Sequence, residues 1–395
     1  ALYTIFGGMK SVLYTSVLQT PILLLGSLII LVLGFKELGG WDEMMRVCGA
    51  VTVNDYGDTM TNLIRSNDDA NFPWLGALIG SAIIGFWYWC TDQFIVQRVL
   101  SGKNEMEARR GTIFGAYLKL LPVFLFLIPG MIAFALHQKY IGAGGEGFLP
   151  MLANGTANAD AAFPTLVAKL LPAGVKGLVV CGILAALMSS LASLFNSSAM
   201  LFTIDFYKRF KPETPEKKLV GIGQIATIVI VVLGILWIPI MRSVGDVLYT
   251  YLQDVQSVLA PGIAAAFLLG ICWKRTSAQG GMWGLISGMV IGLTRLGAKV
   301  YYSNAGEVAD STFKYLFYDM NWLFFCGWMF LFCIIVVIVV SLATEAPTAE
   351  KIQGLVFGTA TKEQKAATRA SWNHWDIIHT VIILAITAAF YWYFW

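Results

Sequence analysis

Residues 87–98 read Trp-Tyr-Trp-Cys-Thr-Asp-Gln-Phe-Ile-Val-Gln-Arg and close an apolar stretch that is long enough to cross a membrane. Aromatic rings, a carboxylate and amides are costly to keep in hydrocarbon, so they indicate side chains that line a polar cavity. Aromatic faces beside amide and carboxylate acceptors suit a sugar. The stretch therefore predicts a membrane protein that holds a polar solute at membrane depth.

The composition of the whole chain agrees with an integral membrane protein. Of its 395 residues 57% are hydrophobic and 13% are charged, whereas a soluble domain carries about 25% charged residues. The net charge of +3 gives no indication of nucleic-acid binding. The 6 cysteines lie mostly in apolar stretches, so we expect no disulfide framework. The 3 histidines do not combine with cysteines or acids at metal-ligand spacing, which disfavours a membrane-embedded enzyme.

The chain offers nine candidate spans, since a membrane helix needs roughly 20 apolar residues. They are 11–35, 73–98, 111–137, 176–207, 219–242, 246–273, 280–302, 322–344 and 376–395. With nine spans the loops rich in Lys and Arg fall on one side, whereas 42–69 and 303–321 are acidic. The positive-inside rule then predicts a cytoplasmic N-terminal end and an external C-terminus. We expect a multi-pass protein of the plasma or inner membrane. The connection 138–175 is expected to be external and to hold one short helix.

The fourth span carries a stripe of small and hydroxylated residues. They share one helical face and are Ala186, Ser189, Ser190, Ser193 and Ser197. One interpretation is close helix packing, where such residues are enriched. The other is a sodium site, because a hard cation needs oxygen ligands. The Ala186 carbonyl and the hydroxyls of Ser189 and Ser190 would supply three, and a broken helix elsewhere would supply the rest.

Lys119 lies inside the third span, about 12 Å deep at a rise of about 1.5 Å per residue. That depth is far for snorkelling, so we expect a buried side chain that donates to a substrate hydroxyl or balances a carboxylate. Asp92 is the nearest candidate carboxylate. A structural role for Asp92, as a partner of Arg98 or of a loop amide, is equally open.

The sixth span begins with a polar half. Gln253 and Gln256 are three residues apart and share a face, and amides hydrogen-bond both ways, which suits sugar hydroxyls. Helix capping is the alternative role for the two glutamines. Pro261-Gly262 then separates the polar half from an apolar half, which predicts an interrupted or kinked helix.

Several segments resemble the sodium/glucose cotransporters of the solute:sodium symporter family. They are 87–93, 117–120, 187–193, 195–197, 202–205 and 273–275. The resemblance implies an all-α integral membrane protein with the LeuT-type inverted repeat of five plus five helices. It implies that 1–35 is the last helix of the first repeat, 36–72 an external loop, 73–273 the second repeat and 274–395 three accessory helices. About five family helices are then absent from the start of the chain, which would make it N-terminally truncated.

The resemblance also implies site residues by position. Tyr88 would be the gate that closes the inner side of the sugar pocket, with Trp89 beside it. Lys119 and Gln253 resemble sugar contacts, and Gln256 stands at a position associated with sugar selectivity. Half of a sodium site would be formed by Ala186, Ser189 and Ser190.

Two departures from the family pattern bear on stoichiometry and specificity. Ser16 stands where relatives often carry the acid of a Thr-Asp-x-x-Gln pattern, which helps to form a second sodium site. We therefore expect one sodium ion per sugar. Gly85 stands where relatives carry Asn or Thr near the sugar, which leaves the sugar preference open.

The expected function is sodium-coupled import of a monosaccharide such as glucose or galactose by alternating access. The expected partners are the sugar, sodium and the lipid bilayer, without nucleic acid and without enzymatic activity. Myo-inositol, another polyol or an organic anion on the same fold are alternatives, since fold does not fix function. The paired amides and the lack of an obvious pocket arginine disfavour anions. A channel would need a filter loop or charged ring, and the sequence leaves the oligomeric state open.

Overall fold

A computed structural model describes residues 2–152, 155–242, 248–304 and 309–394 of the chain. The first helices are α1 Leu2–Leu38, α2 Trp41–Gly49, α3 Trp74–Cys90, α4 Gln93–Leu100, α5 Glu105–Pro122, α6 Ile128–Gly142, α7 Ala162–Leu170, α8 Ala173–Met200 and α9 Lys208–Phe210. Then come α10 Glu216–Arg242, α11 Leu248–Cys272, α12 Ala278–Asn304, α13 Thr312–Lys314, α14 Trp322–Ala343, α15 Ala349–Ile352, α16 Lys362–Ala370 and α17 His374–Tyr393. Short π-helical turns follow α5, α8 and α13. Within the described ranges β pairing is confined to isolated bridges, so the all-α prediction is confirmed.

The helices that cross the membrane match most of the predicted spans. The described part of the chain has 7 helices that are long and apolar enough, or 8 if the bent pair α3 and α4 counts as one span. These helices make the chain a multi-pass membrane protein. The predicted span 280–302 is the continuous helix α12, which falls outside that apolar set. Its glycines and Arg295 lower its hydropathy. The short helix expected within 138–175 is α7.

The predicted span 73–98 is not one straight helix. It bends by 48° between α3 and α4. The cause is Asp92, whose carboxylate accepts a hydrogen bond from the backbone N–H of Phe94 at 3.0 Å and caps α4. An acidic N-cap starts a new helix by satisfying an N–H that has no partner within the helix. Asp92 therefore has a structural role as the N-cap of α4.

An interrupted or kinked helix was expected at Pro261-Gly262, and the interruption is wrong. α11 runs from Leu248 to Cys272 with the proline inside it. A Cβ at Gly262 would lie 3.4 Å from the Cα of Gly288, so α12 packs directly against α11 at this level. A proline within a membrane helix is tolerated where a neighbouring helix covers the backbone groups that it frees.

The residue contacts divide the chain into two compact units, of which unit 1 comprises Ala1–Val53, Thr59–Thr61 and Gly115–Val247. Its core joins α1, α2, α6, α7 and the start of α8 around fully buried Ile30, Leu38 and Leu166. α1 also packs along α8, and a Cβ at Gly26 would lie only 2.9 Å from Val179 Cγ2. Small residues allow this close approach, and van der Waals contact then holds helices together in lipid.

Unit 2 comprises Asn54–Asp58, Asn62–Phe114 and Leu248–Trp395. Its centre is the packing of α3, α11, α12 and α14. One apolar cluster joins Ile83 and Ile84 of α3 to Ala260 and Ala264 of α11 and to the start of α14. A second cluster lies around Val258 of α11. α3 and α11, which carry four of the five predicted sugar residues, thus share one core.

Candidate functional site

The hydroxylated stripe of α8 divides into a buried and an exposed part. Ser189, Ser193 and Ser197 are buried within unit 1, with Ser193 at 0% exposure. Ser190 is exposed on the described surface of unit 1, and Ala186 is half-buried. Because consecutive residues of a helix point about 100° apart, Ser189 and Ser190 are directed to different sides of α8. The stripe therefore offers one oxygen inside the unit and one at its surface.

The register between α1 and α8 places a further oxygen near this stripe. A Cβ at Gly182 would lie 3.3 Å from Leu23 Cα, and Gly26 faces Val179. The two helices are therefore antiparallel. Gln19 lies one turn before Leu23, and Ala186 lies one turn after Gly182, so the two residues fall at the same level. The Oε1 atom of Gln19 is buried and has no hydrogen-bond partner among the described residues. Gln19 ends the Thr-Asp-x-x-Gln pattern, which was the signal in the sequence that could have identified it.

The aromatic run at the end of α3 keeps part of its surface open. Tyr88 is half-buried and Trp89 is 50% exposed. Their rings meet edge to face, with centroids 5.2 Å apart and planes at 89°. The bend at Asp92 ends α3 directly after these rings, so they stand at a helix terminus.

The two glutamines of the predicted sugar site are half-buried on α11. They belong to the same unit as Tyr88 and Trp89. Ile84 lies one turn before Tyr88, and Ala260 lies one turn after Gln256. Ile84 and Ala260 both belong to the apolar cluster that joins α3 to α11. The structure thus assembles four of the five predicted sugar residues within unit 2.

Lys119 differs from the expectation. Its side chain is exposed on the described part of the protein rather than buried. It stands three residues before Pro122, where α5 passes into a π-helical turn. An exposed ammonium within an apolar span reaches a polar cavity or snorkels to the interface. Its sugar contact stays a prediction.

Two acidic residues of the 54–73 segment, Asp58 and Asp69, stabilise that loop. The Asp58 carboxylate accepts hydrogen bonds at 2.7 Å from both the Asn54 amide and the Ser66 backbone N–H, which lowers its pKa. Burial alone would raise the pKa of Asp69, but the N–H groups of Phe72 and Asn71 outweigh it and the pKa is lowered. Within the described ranges no group of three or more His, Cys, Asp or Glu could hold a metal ion.

Sequence reasoning missed a buried arginine beside the glutamines. Arg295 of α12 is 0% exposed, and its Nη2 donates to Asp254 Oδ1 at 3.3 Å. Asp254 lies between Gln253 and Gln256 in the sequence. An arginine inside an apolar stretch is itself a signal for a functional or paired position. The partner lies 41 residues away, so spacing could not identify it.

A model of the Sodium:solute symporter family matches residues 1–288. The sodium/mannose cotransporter SLC5A10 of Bos taurus is 35% identical over 415 residues, covering 100% of this chain and 70% of that protein. The sodium/myo-inositol cotransporter 2 of Homo sapiens is 35% identical, and the alignment covers 91% of this chain and 55% of that protein. The sodium/glucose cotransporter 1 of Ovis aries is 38% identical, with coverages of 87% and 54%. The chain therefore spans about half the length of two of these relatives.

Among solved structures, a Na⁺-coupled sialic acid symporter in a substrate-bound outward-open state matches with a TM-score of 0.63. The match covers 88% of this chain and 65% of that chain at 20% sequence identity. At this identity the likeness concerns the fold, and it confirms the LeuT-type architecture. The resemblance to sodium/glucose cotransporters is confirmed by the relatives, and sodium is the ion that the family description names.

Proposed function

Because the chain belongs to the sodium:solute symporter family, we propose that it is a sodium-coupled symporter that imports a monosaccharide such as glucose or galactose. The supporting observation is the placement of half-buried Gln253 and Gln256 in the same unit as Tyr88 and Trp89. Each amide both donates and accepts, and aromatic faces pack against the C–H face of a sugar ring. Together they provide what a neutral polyhydroxylated ring requires.

Sugar recognition is assigned to five residues. Gln253 contacts the sugar, Gln256 selects between sugars, and Tyr88 closes the inner side of the pocket with Trp89 as its neighbour. Lys119 donates to a sugar hydroxyl from an exposed position within its span. The position of Gly85 leaves the choice of sugar to these side chains.

Sodium binding is assigned to unit 1. The Ala186 carbonyl and the hydroxyls of Ser189 and Ser190 provide oxygen ligands, which a hard cation prefers. The buried and unpartnered Oε1 of Gln19, at the level of Ala186, adds an oxygen that a cation would satisfy. Ser16 supplies no carboxylate for a second ion, so we propose one sodium per sugar; the side chain of Ser16 lies outside the described residues. Sodium favours the state that binds sugar better, which couples the two sites.

The membrane arrangement follows from the same proposal. The N-terminal end is cytoplasmic and the C-terminus external, because the Lys- and Arg-rich loops share one side. Residues 73–273 form the second five-helix repeat and 274–395 the accessory helices. Alternating access comes from the rocking of one bundle against the other around a midplane site.

Myo-inositol is a second candidate substrate. A sodium/myo-inositol cotransporter is 35% identical to this chain, as is a sodium/mannose cotransporter. A cyclic polyol presents hydroxyls around an apolar ring, so the same amides and aromatic rings suit it. The shared chemistry makes substrate choice a matter of hydroxyl geometry.

Uptake into proteoliposomes that hold the full-length protein tests the function. Labelled glucose, galactose, mannose and myo-inositol are compared with an inward sodium gradient and with potassium as the control. We expect sodium-dependent uptake of a monosaccharide, and a sharp loss of it in Gln253→Ala. Uptake of myo-inositol alone would keep the mechanism and change the substrate. Sugar uptake that is equal in potassium would refute symport.

A pair of serine variants tests the sodium assignment. Ser189→Ala combined with Ser190→Ala should raise the sodium concentration for half-maximal uptake, because two hydroxyl ligands are lost. Ser198→Ala is the matched control, since it lies about 12 Å further along the same helix. An unchanged sodium dependence in the double variant would refute the assignment.

A further inference from the structure

Asp254 and Arg295 form an ion pair inside unit 2 at the start of α11. Arg295 Nη2 donates to Asp254 Oδ1 at 3.3 Å and to the carbonyl of Met320 at 2.9 Å. The guanidinium carbon lies 4.1 Å from the centre of the Phe325 ring. Lys299 Nζ meets the other carboxylate oxygen of Asp254 at 2.5 Å. One carboxylate thus receives both a buried and a partly exposed cation.

The burial of these groups shows which contact fixes the pair. The Arg295 side chain is 0% exposed and that of Asp254 is 13% exposed, whereas Lys299 is 32% exposed. A buried cation without its counter-ion is strongly unfavourable. Arg295 therefore keeps the Asp254 carboxylate in place and opposes rotation of α11 about its axis. The Nη2–Met320 bond and the Phe325 ring in turn anchor Arg295 to the segment before α14 and to α14 itself. Lys299 can follow the carboxylate, because its stem is flexible.

Asp254 faces away from the two glutamines. Consecutive residues point about 100° apart around a helix, so Asp254 lies about 100° from Gln253 and about 160° from Gln256. If the Asp254 carboxylate is fixed on the face of α11 that packs against α12, the orientation of the opposite face of α11 is fixed as well. That opposite side carries both amides.

We propose that Asp254 and Arg295 are a positioning pair that fixes the rotation of α11 and so the direction in which Gln253 and Gln256 meet the substrate. This inference goes beyond the proposed function but rests on it for its consequence in transport. Arg295 does not touch the substrate in this arrangement, because its side chain is 0% exposed and its Nη1 and Nη2 atoms are directed to Asp254 and to backbone carbonyls. The pair thus determines affinity through the glutamines.

A labelling experiment tests the rotation without any transport. Gln253→Cys is placed in the full-length protein after the exposed Cys90, Cys181 and Cys272 are replaced by alanine. The reaction rate of the introduced thiol with a charged methanethiosulfonate is measured with and without Asp254→Asn. We expect a several-fold change in rate with Asp254→Asn, and a rate near the original with Asp254→Glu. Lys299→Met is the control and should leave the rate unchanged. Equal rates with and without Asp254→Asn would overturn the proposal.

An uptake experiment tests the consequence for the site. Asp254→Asn should raise the apparent KM for sugar while the sodium dependence stays unchanged. The double variant Asp254→Asn with Gln253→Ala should have the same KM as Gln253→Ala alone, because both changes remove one interaction. A purely structural role would lower Vmax through loss of folded protein and leave KM unchanged, which would overturn the proposal. It would also be overturned if the KM increases of the two single variants multiplied in the double variant. If the unaltered protein transports no sugar, the proposed function fails and the labelling rates alone decide the positioning.

Discussion

Gly292 provides a direct test of how closely α12 approaches the helix that carries the glutamines. A Cβ at Gly292 would lie 2.5 Å from Val258 Cγ1 and 2.8 Å from the backbone oxygen of Val258. Ordinary carbon–carbon contacts lie at about 3.5–4.0 Å, and the backbone oxygen cannot rotate aside. Gly292→Ala must therefore push α12 and α11 apart by about 1 Å, and such overpacking costs ~1–3 kcal/mol.

Gly281→Ala on the same helix is the matched control. Nothing lies within 4 Å of a Cβ at Gly281, so this variant gains only helix propensity, about 1 kcal/mol for alanine over glycine. Both variants share that gain, so the difference between them isolates the clash. At roughly 2–4 °C per kcal/mol for a unit of this size, Gly292→Ala should melt about 2–12 °C below Gly281→Ala.

The melting temperatures are compared by tryptophan fluorescence of the full-length protein purified in detergent. Gly292→Ala should also raise the apparent KM for sugar, because the displaced helix carries Gln253 and Gln256. Equal melting temperatures for the two variants, or a higher one for Gly292→Ala, would refute the close α11–α12 packing.

Three further outcomes are expected. Asp92→Ala should lower the free energy of unfolding by about 1 kcal/mol through loss of the α4 cap, whereas Asp92→Asn should not; thermal unfolding distinguishes the two, and equal melting would contradict the capping role. Because the folded pKa of Asp69 lies below its ordinary 3.8, its stabilisation is present above that value and is lost as the pH falls through the folded pKa. Proteolysis within 62–73 should therefore rise in acid, and Asp69→Asn should abolish that pH dependence. Burial raises the pKa of Cys48 to about 11, so N-ethylmaleimide at neutral pH should modify it only after unfolding, as mass spectrometry would detect.

Hydropathy predicts the helices of this fold because each span must bury roughly 20 residues in lipid. It does not predict where a span bends. The break at Asp92 coincides with a side-chain hydrogen bond to the N–H of Phe94, and α11 continues through Pro261 where α12 packs against it. Both are properties of contacts that a span length does not record.

The candidate site was predictable only in part for the same reason. Helical periodicity placed the serine stripe on one face, but which side of α8 is covered depends on α1, so Ser190 is exposed while Ser189 is buried. Lys119 was expected to be buried from its depth alone and is exposed. Arg295 escaped notice because its partner, Asp254, belongs to another helix. The sugar and sodium roles of all these positions stay predictions.

Simultaneous measurement of labelled glucose and radiolabelled sodium fluxes into proteoliposomes tests the central claim most directly. The full-length protein is studied at zero membrane potential, and glucose is added to vesicles that already face a sodium gradient. Sodium-coupled import predicts a glucose-stimulated sodium influx in the ratio of one sodium ion to one sugar. Glucose uptake without any added sodium influx would contradict the account.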